Sequence, residues 1–196
     1  NTLYELQGEK NINSIIELDS QLKSDQIEIV GIYDPSENDV TIDMWKNSDG
    51  NKILDLYRKI QKIDLSYDSK EILKISLLTN SYVPTKNISK DQFLKLKRDW
   101  LLENSDLDLI EKYLIKNQKI KNNEKLIKFL INEYLSNSEL EKSCKVLSKI
   151  NYPTEDKYLT KFNIYCLINN NKKEEAQLQY DLKRELGFKD DFFEKK

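Results

Sequence analysis

The chain has 196 residues, 38% hydrophobic and 34% charged, with a net charge of −2. That content supports one good core or two small domains, and near-neutrality supplies no sequence-wide basic field for nucleic acid. No histidine is present, which excludes Ser-His and Cys-His catalysis and His-ligated metal within this chain.

Taken in order, residues 13–22 (NSIIELDSQL) read equally as a short helix or a loop. Residues 26–33 (QIEIVGIY) and 39–45 (DVTIDMW) alternate with period 2 around the turn-forming DPSEN, which predicts a β-hairpin. An isolated hairpin is marginal in water, so this one must lie against helices. From Asp49 the period becomes helical: Ile53, Leu56, Tyr57 and Ile60 share one face. Asp68 with Glu71 has the spacing of an N-cap ahead of Ile72, Ile75 and Leu78. Residues 80–89 are a loop, since Pro84 disfavours helix at Val83, and Ser89 with Gln92 announces the next cap.

Beyond residue 85 the signals recur. The apolar stripes are Phe93, Leu96 and Trp100; Leu107, Ile110 and Leu114; Ile127, Leu130 and Tyr134; Leu140, Cys144 and Leu147; Leu159, Phe162 and Cys166; and Leu178, Leu182 and Leu186. Polar turns rich in Ser, Asn and Asp separate them, as helix N-caps require. Ser138 with Glu141 has capping-box spacing, and Gly187 before Phe188 suits a left-handed C-cap with a hydrophobic latch. Aligning Leu102, Leu135 and Leu167 gives steps of 33 and 32 residues, the period of two-helix repeats. Each hairpin then buries its stripe against the next. The expected fold is mainly α: a right-handed α-solenoid of stacked antiparallel hairpins over 86–196, continuing beyond the C-terminus. A cap region over 1–85 precedes it, with the hairpin near 27–45 and two helices. The run at 116–125 (KNQKIKNNEK) reads as solvated linker, because charge runs usually are.

Residues 90–187 resemble tetratricopeptide-type repeats, most clearly in NIYCLINNNKKEEAQLQYDL, where an aromatic precedes a tight turn and Ala176 holds the small-residue position. The turn glycine is replaced by Asn or Ser, and Cys144 stands near the small-residue position of the middle repeat. The resemblance implies a groove lined from the first helix of each hairpin, with Lys95, Arg98, Lys128, Asn132 and Lys161 as candidates; the alternative is that these side chains merely face solvent. The wider run VTIDMWKNSDG, LLTNSYVP, SCKVL and NIYCL is similar to an uncharacterised family of long bacterial helical-repeat proteins, which implies no activity.

Cys144 and Cys166 both lie on apolar stripes, as small buried hydrophobes or as a disulfide pair. Counted from the turns at Ser138 and Asn169, they stand about 9 Å and about 4.5 Å along their helices. That mismatch is compatible with bonding; counted through the connection near Tyr152, the offset of about 9 Å is not. Two thiols without further soft ligands do not complete a zinc site. Trp45, Trp100 and the tyrosines read as packing residues. Carboxylate-only catalysis needs a sculpted cleft, and the glycines Gly8, Gly31, Gly50 and Gly187 are too scattered to cradle phosphate. No stretch approaches the roughly 20 apolar residues of a membrane span.

The functional expectation is a non-enzymatic scaffold that needs no cofactor and binds protein or peptide. The alternative is the N-terminal arm of a larger enzyme or cell-envelope assembly whose active part lies beyond residue 196. The chain starts at Asn1 without methionine, as a processed product or a fragment does. Together with the cysteine pair this favours the periplasm over the cytoplasm.

Overall fold

Asp34, Pro35 and Ser36 decide how the first described segment turns. The structure, a computed structural model, describes residues 29–150 and 155–190. The segment 13–22, Ile27 and the connection at Tyr152 lie outside them. Strand β1 (Ile29–Val30) does not return through DPSEN to pair with 39–45, as the alternation suggested. Asp34 accepts from Ser36 N at 2.9 Å and Pro35 opens a 3-10 turn over Pro35–Asn38. A preset φ and a capped first turn favour that coil over a tight strand reversal. The chain then runs through further turns, closed by Met44 N to Thr41 O (3.0 Å) and Ser48 N to Trp45 O (3.0 Å). Strand β2 (Ser81–Tyr82), inside the stretch expected to be loop, is the true partner: Ile29 lies opposite Tyr82 and Val30 opposite Ser81, antiparallel. Trp45 packs edge-on against Phe93, ring centroids 5.9 Å apart, and donates to Ser76 O at 3.1 Å.

Eight α-helices follow among the described residues. Helix α1 (Gly50–Ile60) is capped by Asp49, which accepts from Asn51 N and Lys52 N. Helix α2 (Tyr67–Leu78) starts a residue before the expected Asp68 cap. Ser66 caps it, and Asp68 falls in its first turn, where a carboxylate suits the helix dipole. Leu56 and Ile72, expected on buried stripes, are exposed. Helix α3 (Lys90–Asn104) carries the reciprocal capping box expected of Ser89 and Gln92. Helices α4 (Leu107–Lys116) and α7 (Lys157–Asn169) are capped by Asp106 and Asp156. Helices α5 (Glu124–Ser136), α6 (Leu140–Ile150) and α8 (Lys173–Glu185) complete the set.

The turns between paired helices share one device. Ser105, Ser138 and Asn171 have φ of 51°, 62° and 59°, and they recur at steps of 33 residues. Short polar side chains tolerate this left-handed region better than most. At Ser138 and Asn171 the amide three residues past the helix reaches back five positions: Glu139 N to Tyr134 O and Lys172 N to Leu167 O. Ser138 therefore closes α5 rather than capping α6, so the expected capping box with Glu141 does not form; a residue at positive φ cannot also be an extended N-cap. Gly187 (φ 89°) closes α8 the same way, with Phe188 buried edge-on against Tyr180.

From α3 onward the helices pack on near neighbours in the chain: α3 on α5, α4 on α5 and α6, α5 on α6, α6 on α7, and α7 on α8. A continuous core runs from Val30 through Phe93, Tyr113 and Tyr134 to Cys166. A smaller cluster joins Ile164, Ala176, Tyr180 and Phe188. The expected stripe on α8 is corrected by this: Leu178, Leu182 and Leu186 are exposed, and Ala176 with Tyr180 makes the buried side. Ala176→Leu should therefore cost about 1–3 kcal/mol by overpacking. Urea unfolding checks it; an unchanged midpoint would mean that α7 and α8 do not meet at Ala176.

Candidate functional site

Three side chains and the close approach allowed by one glycine fix an extended segment against the helices. Lys97 on α3 donates to Val30 O at 2.8 Å. Asn117, just past α4, takes both polar groups of Gly31: its Nδ2 donates to Gly31 O at 3.0 Å and its Oδ1 accepts from Gly31 N at 3.3 Å. Lys116 donates to Ile32 O at 2.6 Å. From the other side Leu78 O accepts from Ile32 N at 2.6 Å. A Cβ on Gly31 would stand 2.5 Å from Asn80 N and Thr79 C, so only glycine fits between the strand and that backbone. The cluster is a main-chain clamp: it reads amide and carbonyl positions, not side chains.

The physical setting is dry. Asn117 is buried and its Nδ2 also reaches Tyr113 O at 2.8 Å, which fixes the amide's orientation. Lys97 is completely buried, its Nζ 5.1 Å from the Phe93 ring centroid. Burial pushes its pKa down to about 7, because a charged ammonium is poorly solvated there. Sequence reasoning missed all three polar residues. Lys116 and Asn117 open the run read as solvated linker, yet Asn117, Ile120 and Asn123 in that run are buried. Two signals were present. Lys97 falls four residues after Phe93 and four before Leu101, inside an apolar stripe, and Ile120 interrupts the polar run. Asn117→Ala should cost about 1–3 kcal/mol, the penalty for leaving buried backbone groups unpaired. Urea unfolding with hydrogen exchange at Gly31 checks it; unchanged protection at Gly31 would show that Asn117 does not hold the segment.

The groove candidates stand on the first helix of each pair, and most are engaged. Lys95 pairs with Asp99 one turn along α3. Arg98 is half-buried, and its Nη1 and the Tyr113 hydroxyl are buried without hydrogen-bond partners. Burial raises the Tyr113 pKa to about 12, against the pull of the Arg98 charge. Lys128 on α5 reaches Asp156 at the start of α7 at 2.5 Å, and Asn132 accepts from Tyr158 at 2.5 Å. These two contacts stitch α5 to α7. Burial works against ionising Asp156, but the Lys128 ammonium and the Leu159 amide outweigh it and hold the carboxyl below its usual range. Lys161 pairs with Asp190 at 3.0 Å. The second helices are stitched likewise: Lys149 on α6 meets Glu111 on α4 at 3.1 Å.

Alongside Lys128, Asn132 and Lys161, α7 presents an aromatic stack. Tyr158 and Phe162 lie parallel within 4°, centroids 6.3 Å apart, and Phe162 continues to Tyr165 at 6.3 Å. Phe162 is buried while Tyr158 and Tyr165 are each more than a third exposed. The face therefore offers rigid, amphipathic rings beside fixed cations, a composition suited to contact with another chain.

Cys144 on α6 and Cys166 on α7 stand at disulfide distance, with Sγ atoms 2.02 Å and Cα atoms 5.4 Å apart. Both are buried in the main core. Among the described residues, no group of three or more His, Cys, Asp or Glu side chains could hold a metal ion, and no helix is long and apolar enough to cross a membrane. No protein-family model, no curated protein and no solved structure matches this chain.

Proposed function

We propose that this chain is a non-enzymatic interaction scaffold: a right-handed α-solenoid of tetratricopeptide-like hairpins that binds protein or peptide through the faces of its first helices. The observation that carries the reading is the α7 surface. There Tyr158 and Tyr165 are held by stacking on Phe162 and left open to solvent beside Lys161. Rings already fixed in the free protein lose little entropy on binding, which is where much affinity is otherwise lost. The left-handed turns at a 33-residue step support the stacked-hairpin geometry. The cysteine pair supports an oxidising compartment, the bacterial periplasm being the one proposed.

Selection of a random twelve-residue peptide library on immobilised protein tests this. Enriched peptides should bind the Tyr158→Ala/Tyr165→Ala double variant about tenfold more weakly, the effect of losing a moderate hot spot. Failure of any peptide to enrich over the matrix, or binding indifferent to both tyrosines, would overturn it.

A further inference from the structure

We propose that the outer face of α8 docks a basic amphipathic helix of a partner protein; this deepens the scaffold reading by giving it a second surface and a partner chemistry. Leu178, Leu182 and Leu186 are spaced by four and form one ridge along the helix. They are 60%, 47% and 81% exposed. Ala176 and Tyr180 supply the side that packs against α7 and Phe188, so among the described residues the leucine ridge adds nothing to the core.

The 33-residue register shows how unusual the ridge is. The positions equivalent to Leu178 and Leu182 are Lys145 and Lys149 on α6, and Lys112 and Lys116 on α4, all exposed. Lysine is the ordinary solution for a solvent-facing helix surface, and α8 departs from it twice on one face. Nor is this the side on which one helix pair meets the next. That side of α6 holds Cys144, joined to α7, and its equivalent in α8 is the exposed Gln177.

Charge selects the occupant. Glu174, Asp181 and Glu185 lie three or four residues from Leu178 or Leu182 and so share their face. Arg184 pairs with Asp181, Lys172 pairs with the neighbouring Glu175, and Lys183 stands three residues from Leu186, so four carboxylates against three cations leave the rim net acidic. A second copy docking through the same ridge would set these carboxylates against one another, and an anionic lipid surface would be repelled. A helix with apolar residues at i and i+4 flanked by Lys or Arg matches both ridge and rim. Past Leu186 the ridge opens into a hollow of about 310 Å³ lined by Phe188, Thr160, Glu155, Lys157 and Lys183, wide enough to take an apolar anchoring side chain.

Isothermal titration with a synthetic 18-residue leucine–lysine amphipathic helix tests the site. A peptide with every lysine replaced by glutamate and the variant Leu178→Ser/Leu182→Ser serve as controls. Binding should weaken about tenfold or more in the variant, fall with added salt, and vanish for the glutamate peptide. Both leucines are exposed, so the variant should keep its helical circular dichroism and unfolding midpoint. Equal affinity for variant and wild type, or for both peptides, would overturn the proposal. So would wild-type dimerisation abolished by the same substitutions, since the occupant would then be a second copy. Library peptides selected on the α7 tyrosines should bind the variant normally; their loss, rather than loss of the leucine–lysine helix, would strike the scaffold reading itself.

Discussion

Stability should climb as the pH rises from 7 towards 10, by up to about 1.4 kcal/mol per unit, and Lys97→Met should flatten that climb. Lys97 is wholly buried and its folded pKa stands at about 7, whereas an unfolded lysine titrates near 10.4. Between those values the unfolded chain carries a proton that the folded chain does not, so raising the pH favours folding. Below pH 7 both states are protonated and the slope from this group disappears. Above pH 10 the tyrosines reverse the trend. Burial raises Tyr113 and Tyr134 to about 12 and Tyr57 further, so the folded state then keeps protons that the unfolded state sheds. Urea titrations of wild type and variant at pH 7, 8, 9 and 10 read the effect. Methionine also strands Val30 O without its donor, a loss that offsets the curves without changing their slope. Parallel curves would mean that Lys97 is not buried as described.

Removing the cysteine pair is the second large effect. Cys144→Ser/Cys166→Ser should lose about 3 kcal/mol, because the bond closes a loop spanning 22 positions and restricts the unfolded chain accordingly. At this chain length that corresponds to a melting temperature lower by roughly 6–12 °C. Wild-type protein in strong reductant should melt near the variant. Alkylation under non-reducing, denaturing conditions followed by intact-mass measurement reads the bond directly, and two alkylated thiols on protein from its native compartment would contradict both the bond and the periplasmic assignment.

How far the sequence could be read follows from where the forces act. Phe93, Ile110, Leu130 and Leu159 were legible because helical periodicity and burial coincide there. The Ser89–Gln92 box was legible because both partners lie within one turn. The pairing of Val30 with Ser81 was not, since partners that distant leave no local pattern and each strand is two residues long. The clamp was hidden for a related reason: Asn117 looks like any other polar residue in a lysine-rich run until the fold brings Gly31 to it. Leu178, Leu182 and Leu186 failed in the opposite direction. Periodicity shows that a helix has an apolar face, not that anything in the same chain covers it.

Asn117 meets Gly31 across 86 positions of sequence, and Lys116 meets Ile32 across 84. Synthesis proceeds at about 5–20 residues per second, so the segment leaves the ribosome roughly 4–17 s before its clamp exists. For that interval the amide and carbonyl of Gly31 and the carbonyl of Ile32 lack the side chains that hold them. Helices α1 to α3, whose bonds join neighbours in sequence, can form meanwhile. The clamp on the first strand therefore closes only once more than half of the chain has been made, and the interval before it is when a chaperone would find this segment most exposed.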